Sequence, residues 1–152
     1  MKEINQTIYF YQAECGDAAR IKFKDDNGKY HNILIDSGYK KTYRNIIDAH
    51  VKDIQHTKEE LDLWIVTHIN DDHIGGIEQY INQITSGESI DIVKAWYYNS
   101  PRKNNGDFHH HLDEISSAKS IKQGDLLTKY LKNINKLPEQ DIITNNEAID
   151  IY

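Results

Sequence analysis

The chain of 152 residues has one cysteine, no long apolar run and no excess of positive charge. A single cysteine, Cys15, excludes an intrachain disulfide and fits a reducing compartment. No histidine is placed to activate it as a nucleophile. No apolar run approaches the roughly 18 residues of a membrane span. The amino terminus, MKEINQTIYFYQAE, carries acidic and amide residues where a signal peptide needs an apolar core. A cytoplasmic protein with no membrane partner is expected. The net charge of −6 and pI of about 5.7 leave no global basic field to hold nucleic acid. Any nucleic-acid contact would need a local patch or bound metal cations.

Leu, Ile, Val and Phe nevertheless make up about a quarter of the chain, above the roughly 20% below which chains stay disordered. The length suits a single domain, 1–152. Ile8–Tyr11, Ala18–Phe23 and Asn32–Ile35 read as three strands, the last two joined by a hairpin turn at Asn27-Gly28. Apolar residues at Tyr43, Ile46, Ile47, Val51 and Ile54 predict a helix over 42–56 capped by Thr42, with His50 and His56 solvated. Leu61–Val66 is an unbroken apolar strand, which implies cover on both faces. Ile74, Ile77, Ile81 and Ile84 mark a second helix ending near Ser86-Gly87. Ile90–Tyr98 reads as a fifth strand parallel to the fourth, because a helix crosses between them. Leu112–Ile134 has helical spacing that Gly124 breaks in two, and Ala148–Tyr152 reads as the start of another strand.

The chemistry concentrates at the end of the fourth strand. Leu63-Trp64-Ile65-Val66 runs into Thr67-His68-Ile69-Asn70-Asp71-Asp72-His73, and Ile74-Gly75-Gly76 then opens the helix. Two imidazoles and two carboxylates fall within six residues at the carboxyl end of a buried strand, where α/β folds place their sites. Neutral imidazole and carboxylate are the usual ligands of first-row metals, and one tight loop can bring several of them onto an ion. Gly75 and Gly76 let the backbone turn closely into the helix, whose first N–H groups face the cluster. Elsewhere, Arg102 and Lys103 form a basic loop that offers a phosphate contact, although a solvated loop explains it more simply. The consecutive His109-His110-His111 point in different directions, so at most one or two could join any site.

The segment THINDDHIGG resembles the first metal motif of the metallo-β-lactamase superfamily, and especially its branch of DNA-uptake competence nucleases and related phosphodiesterases. Cys15-Gly16-Asp17-Ala18 resembles the Gly-Asp that begins that branch's second strand, and Ile35-Asp36-Ser37-Gly38 the Asp-x-Gly that closes its third. The resemblance implies that His68 and Asn70 serve one metal and that Asp72 and His73 serve a second. Asp36 and Asp71 would support the ligands, and Asp72 would orient the attacking water. Asn70 departs from the pattern, since most members carry His there and the competence branch often Asp, and a neutral amide is the weaker ligand. One or two divalent ions are implied, zinc foremost, with manganese or iron as alternatives.

The superfamily fold is an αβ/βα sandwich, and the resemblance covers only its amino-terminal half: an α/β (α+β) mixed sheet with helices on one face. The family's later ligands, a bridging Asp and a final His, have no counterpart here. The sheet's other face is therefore expected to meet a carboxy-terminal half, a second copy or another chain. Two functions follow as expectations. One is a metal-dependent hydrolase of small-molecule or nucleic-acid phosphoesters or phosphodiesters. The other is a catalytically silent module that serves assembly or partner binding.

Overall fold

The computed structural model describes residues 6–14, 16–98 and 117–136. Strands β1 (Gln6–Phe10), β2 (Ala19–Lys24) and β3 (Tyr30–Ile35) form an antiparallel meander. Strands β4 (Glu60–Val66) and β5 (Val93–Tyr98) continue it in parallel, giving the order β1-β2-β3-β4-β5. Helix α1 (Lys40–Thr42) passes through a π-helical turn (Tyr43–Ile47) into α2 (Asp48–His56). Helix α3 (Asp71–Thr85) links β4 to β5, and α4 (Ala118–Asn133) packs on α3. The expected mixed α/β sheet is present. No helix among the described residues is long and apolar enough to cross a membrane. The triplet His109-His110-His111, the basic pair Arg102 and Lys103, Cys15, and the strand expected at Ala148–Tyr152 lie outside the described residues.

Alternation along the strands sorts side chains onto two faces. Leu34, Trp64, Val66, Trp96 and Tyr98 turn toward the helices and are buried. The Trp64 and Trp96 rings stack 5.2 Å apart and 8° from parallel, with Tyr80 of α3 edge-on to Trp64 at 5.0 Å. Trp96 is therefore a core residue. On α3, Ile74, Ile77, Tyr80 and Ile81 recur at helical spacing and fill the same core. On α4, Leu127, Tyr130 and Leu131 cover its flank. The opposite face is only half-buried at Ile21, Ile33, Ile35, Leu63, Ile65 and Tyr97, and Phe10 at its edge is 84% exposed. The apolar run of β4 thus has close cover on one face alone among the described residues. A bulge at Asp62, where Asn32 pairs with Leu61 and Ile33 with Leu63, lets both Leu61 and Trp64 face the helices.

Several boundaries differ from the pattern reading, each for a packing reason. Thr42 does not cap the helix: Tyr39 holds the N-cap position, and Thr42 is buried one turn inside, against Gly38. Ile90 is exposed and precedes β5, because Asp91 turns the chain by accepting from Val93 N and from the Tyr80 hydroxyl. Helix α4 runs unbroken through Gly124, which is buried and whose carbonyl accepts from the Tyr98 hydroxyl at 2.6 Å. His50 is half-buried rather than solvated, packed on the Tyr11 ring at 4.9 Å and close to Arg20.

Arg20 is the one long cation on the helix side of the sheet among the buried residues, 2% exposed, and it is matched by neighbours. Its Nε donates to Asn32 Oδ1 at 2.9 Å and its Nη2 to Glu59 Oε2 at 3.4 Å, while Lys22 donates to Glu59 Oε1 at 2.6 Å. Burial pushes the Glu59 carboxyl up, but hydrogen bonds from Lys22 and Asn32 and the charges of Lys22 and Arg20 outweigh it and hold it below the ordinary glutamate value of 4.5. A lowered folded value gives stability that is complete above the unfolded value and disappears as pH falls through the folded one. Glu59→Gln is therefore expected to cost about 1–3 kcal/mol near neutrality. Urea unfolding across pH should show the wild type's advantage complete above pH 4.5 and vanishing below it. A constant difference down to strongly acidic pH would remove Glu59 from this role.

Candidate metal centre

The site is built where β3 and β4 end and α3 begins. At Asp36 the chain leaves β3 with φ +53°, a left-handed conformation that Asp tolerates better than most residues. That turn aims the side chain back under the β4 loop. Asp36 is 2% exposed, and its Oδ1 accepts from Thr67 N at 2.8 Å. Its Oδ2 accepts from the Thr67 hydroxyl at 2.7 Å and faces His73 Nδ1 at 2.8 Å. The Asp36 backbone is held as well, donating to Ile65 O and accepting from Trp64 Nε1. Ser37 N and Oγ both donate to the His73 carbonyl, and Ser37 Oγ accepts from Ile77 N. The segment Asp36-Ser37-Gly38 thus clamps the first turns of α3.

This clamp sets the imidazoles. Thr67 spends its hydroxyl proton on Asp36, so toward His68 Nδ1, 3.1 Å away, its oxygen is an acceptor. His68 then carries its proton on Nδ1, and its Nε2 keeps a lone pair. His73 donates from Nδ1 to Asp36, leaving its own Nε2 bare in the same way. The two rings lie 3.6 Å apart, centroid to centroid. Burial, followed by the neighbouring His73, pushes the His68 imidazole below its ordinary value, toward the neutral form that can ligate. Asp72, in the first turn of α3, directs Oδ2 to within 3.8 Å of His73 Nε2. One ligand atom each from His68, Asp72 and His73 all lie within 4.8 Å of one another.

Other expected residues are placed differently. The Asn70 carbonyl accepts from His73 N and Ile74 N to open α3, and its side chain makes no capping bond. Asp71 turns away from the histidines: its oxygens take Lys119 Nζ at 2.7 Å and Gln123 Nε2 at 2.8 Å, tying α3 to α4. One residue to which the pattern assigns no role arrives from the β1–β2 loop. Asp17 brings Oδ2 to 3.9 Å from His73 Nε2. Its only sequence signal is the Gly16-Asp17 pair.

No family model matches the chain, and no curated protein matches it. Among solved structures, a mutant of the flavo di-iron protein from Thermotoga maritima aligns at 15% identity with a TM-score of 0.38. The alignment covers 96% of this chain and 34% of that one, so the chain spans about a third of that structure's length. The five-stranded mixed sheet with its helices is the mixed α/β arrangement expected from the sequence.

The close seating of α3 on the clamp depends on a missing side chain. A Cβ on Gly76 would stand 2.7 Å from the Ser37 carbonyl oxygen and 2.7 Å from Tyr43 Cβ, neither of which can swing aside. Gly76→Ala is expected to destabilise the fold by about 1–3 kcal/mol through overpacking. Denaturant unfolding checks this; unchanged stability would mean that α3 does not sit so close to Ser37.

Proposed function

We propose that the chain provides metal ligands of a hydrolase in the metallo-β-lactamase superfamily, acting on phosphodiester or phosphoester bonds. The observation that carries the reading is the pair of bare Nε2 atoms, His68 and His73, fixed by Thr67 and Asp36 beside the Asp72 carboxylate. Two neutral imidazoles and one carboxylate are a donor set suited to zinc, or to manganese or iron, and three protein ligands leave room for water or substrate. A divalent ion bound there supplies Lewis acidity, lowering the pKa of water and polarising the scissile group.

The chain's own residues do the positioning. Asp36 orients His73, Thr67 orients His68, and Asp72 would both ligate and orient an attacking water. Phosphoester specificity follows only from the likeness of THINDDHIGG to the competence-type motif. Asn70, neutral where that branch often carries Asp, favours the second reading, a silent module, to the extent that it weakens one ion's site. Elemental analysis of gently purified protein should find stoichiometric zinc, manganese or iron that His73→Ala loses. Hydrolysis of bis-p-nitrophenyl phosphate should stop on chelation and fall about 100-fold or more in Asp72→Ala. Metal without hydrolysis supports the silent module, and no metal in either protein overturns the hydrolase reading for this chain by itself.

The same reading proposes an occupant for the half-buried sheet face of Ile21, Ile33, Ile35, Leu63 and Ile65. In the superfamily two halves pack sheet against sheet, so this face would meet a carboxy-terminal half, a second copy or another chain. Light scattering and a hydrophobic dye on the purified chain test this together. A monomer at micromolar concentration that binds no dye would show that nothing need cover the face.

A further inference from the structure

Three carboxylates surround the paired imidazoles, and they differ from the other acidic groups nearby. Glu59 has Arg20 and Lys22, Glu78 has Lys40, Asp71 has Lys119, Asp91 has Lys136, and Asp48 has Lys52. Among the described residues no lysine or arginine pairs with Asp17, Asp36 or Asp72. The side chain they converge on is His73, 8% exposed, with Nδ1 committed to Asp36. Its Nε2 faces Asp72 Oδ2 at 3.8 Å and Asp17 Oδ2 at 3.9 Å. Both distances exceed a hydrogen bond. With Nδ1 as the donor, Nε2 presents a lone pair to two oxygens that also carry only lone pairs. Donor atoms around one ion at about 2.1 Å stand about 3.4 Å apart in a tetrahedron, so the 3.8 Å and 3.9 Å separations from His73 Nε2 suit each carboxylate sharing a cation with that nitrogen better than facing it bare.

The approach of Asp17 is built into the backbone. The Asp17 carbonyl accepts from Gly38 N at 3.0 Å, which ties the β1–β2 loop to the same segment that clamps α3. Beside it, a Cβ on Gly16 would stand 2.1 Å from the Asp72 carbonyl oxygen, so only glycine lets the loop lie on the start of α3. The Asp17 side chain itself is 81% exposed and contributes nothing to packing.

We infer that Asp17 is a further ligand of the proposed metal centre, an anionic donor from the β1–β2 loop that joins Asp72 and His73 on one ion. The inference rests on the proposed metal-binding reading and deepens it. It makes the set richer in oxygen: two imidazoles and two carboxylates. Such a set holds manganese or ferrous iron as well as zinc, because hard, six-coordinate ions favour carboxylate.

Titration of the metal-free chain with manganese, reading the free ion by electron paramagnetic resonance, tests it. Asp17→Asn is expected to weaken binding roughly tenfold or more, while the metal-free melting curve stays that of the wild type. His73→Ala, run alongside, should abolish uptake. If Asp17→Asn titrates like the wild type while His73→Ala does not bind, Asp17 is no ligand and the centre stands on three residues. If the wild type leaves manganese free but takes zinc in a His73-dependent way, the zinc titration of Asp17→Asn decides: unchanged affinity removes Asp17 as a ligand while the proposed function survives, and a loss of roughly tenfold or more upholds it. If neither ion binds, both fall.

Discussion

The structure depends on one buried carboxylate. Removing Asp36 from water is costly unless its lone pairs are filled, and here three donors fill them: Thr67 N, the Thr67 hydroxyl and His73 Nδ1. Hydrogen bonds to a charged group contribute about 1.5–3 kcal/mol each, so the arrangement is self-consistent only with all three in place. Those donors come from the end of β4 and the first turn of α3, while Asp36 itself ends β3 in a left-handed turn. Three elements are therefore locked at one point. The orientation of His73 follows from the same bonds that hold the sheet's rim to its helix.

The two neighbouring acids Asp71 and Asp72 show how helix geometry divides labour. Successive helical residues point about 100° apart. From one turn, Asp71 reaches Lys119 and Gln123 on α4 while Asp72 reaches the histidines. Both also sit at the amino-terminal end of α3, where the backbone N–H groups favour negative charge. Asp71 thereby ties α4 to α3, and among the described residues Asp72 has no lysine or arginine partner. Two identical neighbouring residues thus divide between holding α4 and facing the paired imidazoles.

How much is legible in the sequence follows from the range of each interaction. His68, Asp72 and His73 lie within six residues, so their convergence needs only one loop and can be read from spacing. The strands with strong periodicity, β3 and β4, fall where the pattern places them to within a residue or two, whereas α3 begins at Asp71, three residues before the Ile74 that the pattern gives, so that Asp72 and His73 lie in its first turn. Asp36 stands out only through the likeness of Asp-Ser-Gly to a family motif, because nothing local shows that its side chain folds back 31 positions along the chain to Thr67. Asp17 reaches His73 across still more sequence and by way of a backbone contact at Gly16, which no periodicity encodes. Thr42, Gly124 and Asp71 depart from the local pattern for the same reason: propensity favours a cap, a break and a site residue, and tertiary packing decides otherwise.

Charge then constrains what the centre can do. Asp17, Asp36 and Asp72 with two neutral imidazoles sum to −3, on a chain already at −6. One divalent ion brings the local sum to −1, and two bring it to +1. A phosphoester is an anion, and at short range in a partly desolvated pocket a like charge repels it by several kcal/mol. On the proposed reading, a centre with a single ion would repel such a substrate, whereas one with two would attract it and could stabilise the charge that builds up as the ester breaks. The neutral side chain of Asn70 lowers the negative charge that a second ion would have to offset, but also removes a strong donor for it. On the proposed reading, the number of ions retained, more than the presence of the ligands, would therefore separate a phosphoester hydrolase from a catalytically silent module.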